Sequence, residues 1–273
     1  MRFRSPDGTV HEGIVEEGRE PACVSDTRPD VRAPLLDVEA LALEPPFELL
    51  CPLQPPEVWC AGVTYERSRD ARIEEAAVKD VYALVYEADR PELFLKDAAC
   101  RRTVGPGEPI GVRADATWNV PEPEIGVVVG TNGAVAGYTI GNDVSSRDIE
   151  GANPLYLPQA KVFAGACAIG PAVLTGVDGP FDLRMRIEGP DGSELFAGAT
   201  STARMQRSFA DLLSWLLRDN PVPPGSVLLT GTGLVPPDDF TLLPGMRVEI
   251  HVPGLGTLAN PVAPASELLE RSP

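Results

Sequence analysis

The sequence predicts an α+β protein in which β-strands dominate. Short apolar runs of strand length recur along the chain, and turn residues bound most of them, whereas clear helical patterns are few. The 29 prolines and 26 glycines among 273 residues are typical of a chain with many turns. This length allows either one large domain or a main domain with an appendage.

The first 55 residues are predicted to be a small N-terminal β domain followed by a proline-rich linker. Residues 1–4 and 10–15 are apolar or alternating and flank Ser5-Pro6-Asp7-Gly8, a turn sequence, so we expect a short hairpin. Proline then becomes frequent up to Pro56, which is incompatible with a long helix. We therefore predict that residues 56–273 form the main domain.

The main domain alternates predicted strands with two predicted helices. The helices cover residues 71–88, with an apolar stripe closed by Pro91, and residues 209–217, closed by Pro221. One predicted strand ends in Lys96, and another leads into Thr230-Gly231-Thr232-Gly233. The expected strands of this domain, outside its centre, cover residues 58–63, 93–96, 183–187, 194–197, 226–230, 246–252 and 256–259.

The centre of the chain predicts a hairpin that gathers three carboxylates. Residues 125–129 and 135–143 are predicted strands, and Asn132-Gly133 between them is a strong hairpin signal. With these two as turn residues, paired residue numbers add up to 265, so Asp143 lies opposite Glu122. Glu124 shares the face of Glu122 because side chains alternate along a strand. A slip of one residue would turn Asp143 away.

Glu122, Glu124 and Asp143 are candidate metal ligands. Like charges repel, so three converging carboxylates are stable when a cation neutralises them or when they share protons. Oxygen ligands without Cys or His suit a hard ion, Mg²⁺ or else Mn²⁺. A solvated strand end is the alternative interpretation of the same residues.

Composition limits the partners of the chain. Lys and Arg number 23 against 40 Asp and Glu, and the net charge of −17 disfavours nucleic acid and anionic membranes. A small anionic substrate remains compatible if a metal and local lysines reverse the field in one site. No apolar stretch approaches the length of a membrane span, and the N-terminus has no signal-peptide core. Five scattered cysteines predict reduced thiols in a cytoplasmic protein.

Several motifs together resemble the fumarylacetoacetate hydrolase superfamily, in that family's order and across residues 57–262. The motifs are Pro91-Glu92-Leu93-Phe94-Leu95-Lys96, Glu122-Pro123-Glu124, Gly137-Tyr138-Thr139-Ile140-Gly141-Asn142-Asp143 with Ser146-Arg147-Asp148, Gln159-Ala160-Lys161 and Leu229-Thr230-Gly231-Thr232-Gly233. The resemblance implies a mixed β-roll of the fumarylacetoacetase C-terminal type that forms a homodimer, or a higher assembly. It also implies a divalent metal on the three carboxylates, Lys161 as a site lysine, and Lys96 and Thr232 as substrate contacts.

One departure from the superfamily separates hydrolysis from other reactions. Hydrolase members carry G-x-N-Y-x-x-H in a lid, with a glutamate three residues later, and this His–Glu pair activates water. Here Ser68 and Ala71 occupy those two positions. The residues 65–70 and 153–161 instead resemble the branch of the superfamily that dehydrates 2-keto-3-deoxy sugar acids. The predicted reaction converts 2-keto-3-deoxy-D-arabinonate to 2,5-dioxopentanoate by enolate formation and loss of water.

Such a dehydration needs a base for C3 and an acid for the leaving hydroxyl. We predict Lys161 and Glu92 for these roles, and the reverse assignment fits the sequence equally well. Thr230, Gly231 and Thr232 are predicted to contact the substrate. Arg147 either pairs with Glu150 or another local acid, or binds the substrate carboxylate.

Two other functions stay open at this point. The first is an acylpyruvate or diketo-acid hydrolase, or an oxaloacetate-type decarboxylase, which the missing His–Glu pair disfavours. The second is a metal-binding homologue without catalysis.

Overall fold

The structure, a computed structural model, describes residues 2–4, 8–12, 48–66 and 84–269. Strands dominate these residues, in agreement with the predicted β-rich α+β class. The strands are β1 Arg2–Arg4, β2 Val10–Glu12, β3 Glu48–Leu50, β4 Glu57–Gly62, β5 Glu92–Ala98, β6 Thr103–Val104, β7 Ile110–Val112, β8 Asn119–Val120, β9 Pro123–Val129, β10 Val135–Asp143, β11 Ser145–Ser146, β12 Cys167–Leu174, β13 Asp182–Glu188, β14 Glu194–Ser201, β15 Val227–Leu229, β16 Arg247–Val252 and β17 Gly256–Pro264.

The α-helices described in full are short. They are α1 Arg147–Ala152, α2 Leu157–Lys161 and α3 Phe209–Leu216, and 3-10 turns cover Thr131–Gly133, Pro154–Tyr156, Thr202–Arg204 and Ala265–Leu268. Residues 84–87 are helical, and the rest of the predicted helix 71–88 lies outside the described residues. Within the part of the chain that is described, every helix is too short or too polar to cross a membrane.

Two large sheets organise the main part of the molecule. The first has seven strands in the order β5-β4-β15-β9-β10-β12-β6, and the second has five in the order β14-β13-β16-β17-β7. Both are mixed: β15 runs parallel to β4, β12 to β6 and β17 to β7, while the other neighbours are antiparallel. This arrangement agrees with the predicted mixed β-roll.

The seven-stranded sheet is apolar on both faces, and this decides where a polar site can form. On one face Ile125 and Val127 of β9 pack in the main core with Met185 of β13 and Ile250 of β16. On the other face Val128 of β9 packs with Cys60 and Leu229 in a second cluster. Because side chains alternate, Glu122 and Glu124 lie on the same face as Val128, at the end of the second cluster.

The central hairpin has the predicted register along most of its length. From Gly137 opposite Val128 to Asn142 opposite Pro123 the paired numbers add up to 265. The backbone N–H of Asp143 then donates to the carbonyl oxygen of Glu122 at 3.0 Å. Near the turn the structure differs: Val135 pairs with Val129, and an irregularity before Gly137 restores the register.

Local sequence signals explain the turn and the longest helix. Asn132 and Gly133 have φ of 60° and 73°, the left-handed conformation that Asn and Gly adopt readily. In α3, the Ser208 hydroxyl accepts a hydrogen bond from the backbone N–H of Asp211 at 3.1 Å, which caps the first turn. The same helix buries its leucine stripe, Leu212, Leu213 and Leu216, in the main core.

Near the N-terminus the predicted hairpin is confirmed. Strand β1 pairs antiparallel with β2 on one side and with β3 on the other, giving a three-stranded sheet. Most of the proline-rich stretch lies outside the described residues, and the domain boundary after residue 55 stays a prediction.

Candidate metal centre

Three buried carboxylates meet at the open end of the central hairpin. Glu122, Glu124 and Asp143 expose 3%, 2% and 1% of their surface. One oxygen atom from each lies within 4.8 Å of the oxygens of the other two. Glu122 directly precedes β9, Glu124 is its second residue, and Asp143 ends β10. The hairpin register thus brings together the three residues that the sequence singled out.

Lys161 lies in contact with two of these carboxylates. Its Nζ is 2.8 Å from Oε2 of Glu122 and 2.9 Å from Oδ2 of Asp143. It also donates to Oγ of Ser145 at 2.5 Å. With three acceptors around it, the ammonium group can donate all three of its hydrogens to the site. The end of helix α2 supplies this lysine, which exposes 2% of its surface.

Lys96 approaches Asp143 from strand β5. Its Nζ forms an ion pair with Oδ1 of Asp143 and donates to the carbonyl oxygen of Val144 at 2.9 Å. The side chain is fully buried. Lys96 therefore belongs to the same charge cluster, and β5 continues past it to Ala98, two residues beyond the predicted strand end. Its expected contact with a substrate stays a prediction.

Arg147 pairs with a metal-ligand candidate. Its Nη2 lies 2.9 Å from Oε1 of Glu122, and both side chains are buried. Arg147 was expected to pair with a local acid or to bind a substrate carboxylate. The acid that it contacts here, Glu122, lies 25 residues away in the sequence, and a contact with a substrate stays a prediction. With Lys96 and Lys161, Arg147 places three buried cations around the three carboxylates, which limits the cost of burying the negative charges.

A backbone group contacts the third carboxylate, Glu124. Its Oε2 accepts a hydrogen bond from the N–H of Gly231 at 2.6 Å. Burial raises the pKa of Glu124 well above its ordinary value, and the charges of Asp143 and Glu122 raise it further. A cation at the centre of the three carboxylates would remove this electrostatic cost.

The donor set suits a divalent hard cation. It offers carboxylate oxygens from three residues at short mutual distances, which are the ligands that Mg²⁺ and Mn²⁺ prefer. In proteins Mg²⁺ keeps open positions for water and for substrate oxygens. The residues present therefore fit the predicted ion, and Glu122, Glu124 and Asp143 would hold it.

The turn after β15 contributes main-chain groups. Gly231 has φ of +91°, which glycine adopts without strain. Gly231 and Thr232 line the cavity in front of the carboxylates. The Thr230 hydroxyl instead donates to the carbonyl oxygen of Ile125 at 2.8 Å, and the Thr232 hydroxyl donates to that of Leu234 at 2.9 Å. Thr230 therefore stabilises the turn, and its predicted contact with a substrate stays a prediction.

Glu92 lies in the wall of the same cavity. It begins β5 and pairs with Gly62 at the end of β4. A methyl group on Gly62 would come 2.0 Å from Oε2 of Glu92, so the absent side chain of Gly62 makes room for this carboxylate. The structure thus brings Glu92 and Lys161 to one cavity, which is also lined by Val63, Phe94, Glu122, Glu124, Asp143 and Glu150.

The sequence analysis did not assign Glu150 and Ser145 to the site, although both belong to it. Glu150 is buried and lines the cavity, and it follows Arg147 by three positions in α1, so the helical period could have placed both on one face. Ser145 accepts from Lys161 and donates to the carbonyl oxygen of Asp143 at 3.0 Å. Its spacing of two from Asp143 was the available signal.

The segment corresponding to the hydrolase lid is partly described. Thr64 and Tyr65 are buried next to the site, whereas Ser68 and Ala71 lie outside the described residues. Four of the five cysteines, Cys51, Cys60, Cys100 and Cys167, are free thiols, and Cys23 lies outside the described residues. Burial raises the pKa of Cys60 and Cys167, the two that are fully buried, so both are predicted to be unreactive.

Comparison with protein families gives a match over residues 57–263 to the model described as fumarylacetoacetate (FAA) hydrolase C-terminal. Two curated relatives are similar over 77% of this chain and 73% of their own length. The probable 2-keto-3-deoxyxylonate dehydratase of Haloferax volcanii is 51% identical over 214 residues. The 2-dehydro-3-deoxy-D-arabinonate dehydratase of Saccharolobus solfataricus is 44% identical over 218 residues.

A solved structure matches nearly the whole chain. It is 2-keto-3-deoxy-D-arabinonate dehydratase complexed with magnesium and 2,5-dioxopentanoate, with a TM-score of 0.80 and 34% identity. The match covers 96% of this chain and 98% of the solved one.

Proposed function

The chain belongs to the fumarylacetoacetate hydrolase family, and within this family we propose that it is a Mg²⁺-dependent dehydratase of a 2-keto-3-deoxy sugar acid. The observation that carries the proposal is one cavity in which Glu122, Glu124 and Asp143 converge beside Lys161 and Glu92. The two dehydratases at 51% and 44% identity support it.

The names of these two relatives differ in the sugar acid, but they lead to one substrate. A 2-keto-3-deoxy pentonate has a single stereocentre at C4, because C2 is a carbonyl and C3 is a methylene. D-Arabinonate and D-xylonate share the configuration at C4. In the D series the two names therefore describe the same compound, which is the substrate we propose.

The charge of the site suits a small anionic 2-keto acid. The protein as a whole carries −17, yet Lys96, Lys161 and Arg147 are buried at this centre. When bound, Mg²⁺ would polarise the 2-keto group as a Lewis acid and make the C3 protons more acidic. We propose Mg²⁺ as the resident ion, with Mn²⁺ as a possible substitute because it prefers the same ligands.

The proton transfers fall to Lys161 and Glu92 in our proposal. Lys161 touches two of the metal ligands, so a keto acid bound at the metal would present C3 close to it. Mg²⁺ on the same carboxylates would take over their charge compensation and favour the neutral amine of Lys161, which then removes the C3 proton. Glu92, in another part of the cavity wall, protonates the departing C4 hydroxyl. The product of this step has a C3–C4 double bond. Transfer of a proton from C5 to C3 then gives an enol with a C4–C5 double bond, and loss of the enol hydroxyl proton with protonation of C4 forms the aldehyde of 2,5-dioxopentanoate.

The other predicted contacts have different roles in this scheme. The N–H of Gly231 holds Glu124, and Arg147 holds Glu122, so both orient carboxylates of the metal centre. Thr232 lines the cavity, where its backbone faces a substrate, and Lys96 balances the charge of Asp143. Activity measurements on single variants of these residues would test the proposed roles.

We further propose that the protein is a cytoplasmic homodimer. Leu155 and Tyr156 expose 84% and 45% of their surface side by side, an apolar patch that a second copy would cover. The four free thiols suit a reducing compartment. Light scattering coupled to gel filtration would test the dimer, and the mass of a monomer at micromolar concentration would contradict it.

A substrate panel tests the proposed reaction. Purified protein with Mg²⁺ is incubated separately with 2-keto-3-deoxy-D-arabinonate, an acylpyruvate and oxaloacetate, and products are followed by NMR. We expect 2,5-dioxopentanoate from the first compound and no comparable turnover of the others. Turnover of the acylpyruvate or oxaloacetate alone would replace the dehydratase by a hydrolase or decarboxylase. Turnover of none, despite metal binding, would indicate a non-catalytic homologue.

A further inference from the structure

We infer that the hydroxyl group of Thr64 positions the metal ligand Glu124 through the peptide group that joins Thr230 and Gly231. Thr64 stands outside the cavity lining, so it is a positioning residue and not a catalytic one. The inference rests on the proposed function to the extent that Glu124 is taken as a ligand of the divalent ion.

The two hydrogen bonds of this arrangement belong to one peptide unit. Oγ1 of Thr64 donates to the carbonyl oxygen of Thr230 at 2.7 Å. The N–H of the same peptide, on Gly231, donates to Oε2 of Glu124 at 2.6 Å. The hydroxyl, the peptide and the carboxylate therefore form a continuous chain of donors and acceptors. Hydrogen bonds in such a chain polarise one another, so the Thr64 hydroxyl strengthens the N–H donor that holds Glu124.

Burial makes this chain sensitive to each of its members. Thr64 exposes 1% of its surface, Thr230 none and Glu124 2%. Water cannot readily replace the hydroxyl as a donor to the Thr230 carbonyl at such a place. Without this donor the peptide loses one of the two bonds that fix its orientation, and the N–H at Glu124 loses its alignment.

The sequence around Thr64 is adapted to this contact. Val63 has φ of 53°, an uncommon conformation for a β-branched residue. It directly follows the last residue of β4 and turns the chain away from the strand direction immediately before Thr64. The carbonyl oxygen of Thr64 accepts from the N–H of Gln206 at 3.0 Å, which fixes the backbone after this bend. Strain of this kind persists where surrounding structure over-determines it, commonly at functional sites.

Gly231 is adapted from the opposite side. A methyl group at this position would come 2.0 Å from Oγ1 of Thr64 and 3.0 Å from the carbonyl oxygen of Ala61. The absence of a side chain on Gly231 thus allows the Thr64 hydroxyl to reach the peptide. The close approach of two segments separated by 166 residues serves the hydrogen bond to Glu124.

Direct binding of Mn²⁺ to the purified protein, by calorimetry or by electron paramagnetic resonance, tests the inference without relying on turnover. Thr64→Val removes the hydroxyl and keeps the shape of the side chain. Removal of a group that supports a metal ligand through hydrogen bonds commonly weakens metal affinity about 10- to 100-fold. We expect a Kd for Mn²⁺ about 10-fold or more above that of the wild type, and recovery of the wild-type Kd in Thr64→Ser.

Thr139→Val is the matched control. Thr139 is also fully buried, and its hydroxyl has no hydrogen-bond partner within the described part of the chain, so its loss is expected to leave the Kd unchanged. If Thr64→Val does not fold, Thr64→Ser and Thr64→Ala provide the same comparison, because they differ by the hydroxyl alone.

Three outcomes would overturn the inference. Wild-type affinity in a folded Thr64→Val, or in Thr64→Ala, would show that the hydroxyl does not position Glu124. Equal losses in Thr64→Val and in Thr64→Ser, which keeps the hydroxyl, would assign the effect to the packing of the side chain and not to its hydroxyl. Wild-type protein that takes up no Mn²⁺ would overturn the proposed metal centre, and this inference with it, whereas the first two outcomes leave the metal centre intact.

Discussion

Nζ of Lys161 lies between Oε2 of Glu122 at 2.8 Å and Oδ2 of Asp143 at 2.9 Å. The same two carboxylates are candidate ligands of the divalent ion. A lysine in our proposed catalytic role therefore shares its charge partners with the metal. Stability and metal content should be linked at this centre, because removal of any cation leaves buried negative charge uncompensated.

Lys161→Met is expected to destabilise the metal-free protein. Breaking a buried ion pair by removing one partner commonly costs about 3–5 kcal/mol. In EDTA we expect a loss of this order in the free energy of unfolding, measured by urea denaturation. Saturating Mg²⁺ should reduce the difference from the wild type, because the ion supplies positive charge at the same carboxylates.

Arg186→Met is the control for this measurement. Arg186 forms ion pairs with Glu188 and Glu194, but its side chain is 45% exposed, so the expected change is less than about 1 kcal/mol with or without Mg²⁺. An effect of Lys161→Met that is equally small would contradict the charge cluster described here.

Glu92 provides a second prediction through its neighbour Gly62. A methyl group on Gly62 would come 2.0 Å from Oε2 of Glu92 and displace that carboxylate. Misplacement of a reacting group by about 1 Å can cost about 100-fold in rate. We expect Gly62→Ala to lower kcat by about this factor and to resemble Glu92→Gln, in steady-state assays of 2,5-dioxopentanoate formation.

Gly189→Ala is the matched control for Gly62→Ala. It lies in the connection between β13 and β14, where a methyl group would meet flexible ends of Asp191 and Ser193 at 3.0 and 3.1 Å. Its kcat should equal that of the wild type. Full activity of Gly62→Ala would exclude Glu92 from the reaction.

Hydrogen exchange at C3 separates the two proton-transfer roles. In D₂O, an enzyme that retains its base exchanges the C3 protons of the keto acid even when elimination is blocked. We therefore expect Glu92→Gln to catalyse exchange without dehydration, and Lys161→Met to catalyse neither, as observed by proton NMR. Exchange in Lys161→Met and none in Glu92→Gln would reverse the two assignments.

The pH dependence of stability tests the electrostatics of Glu124. Burial and the neighbouring carboxylates raise its pKa above the ordinary value of 4.5, so the folded metal-free protein binds this proton more tightly than the unfolded chain. The contribution of Glu124 to stability is then greatest below that ordinary value and falls as the pH rises toward the raised one. In EDTA, the stability of the wild type relative to Glu124→Gln should decrease by up to about 1.4 kcal/mol per pH unit over this interval.

With saturating Mg²⁺ the pH dependence of the same comparison should largely disappear, because the effect of the ion offsets the decrease seen in EDTA. Protons compete with the ion for Glu124, so the stabilisation of the wild type by Mg²⁺ should increase with pH. Unfolding curves of the two proteins recorded between about pH 5 and pH 8 provide the measurement. A difference between them that is constant with pH in EDTA as well would contradict a raised pKa at Glu124.

The central hairpin shows how far the sequence alone defines the site. The Asn-Gly turn and the alternation of side chains predicted a register that holds from Gly137 to Asn142, and with it the meeting of Glu122 and Asp143. These signals are local, because turn residues fix their own backbone conformation. The irregularity near Val135 was not predicted, since no residue there requires it.

Local sequence patterns could not predict the contacts between segments that are distant in the chain. The approach of Lys161 depends on where α2 lies, and the bond from Thr64 to Thr230 spans 166 residues. Periodicity describes which face of an element is buried, but it does not say which other element covers that face. The site lysine was therefore expected from family resemblance, whereas Ser145 and Thr64 emerged from the structure.

The dependence of turnover on the metal centre tests the account most directly. The protein is stripped with EDTA and incubated with 2-keto-3-deoxy-D-arabinonate, and 2,5-dioxopentanoate is followed before and after Mg²⁺ is restored, in the wild type and in Glu124→Gln. The account predicts product from the wild type after Mg²⁺ is restored, and from neither protein before. Full turnover by the stripped wild type, or by Glu124→Gln, would contradict a dehydratase that works through Glu122, Glu124 and Asp143.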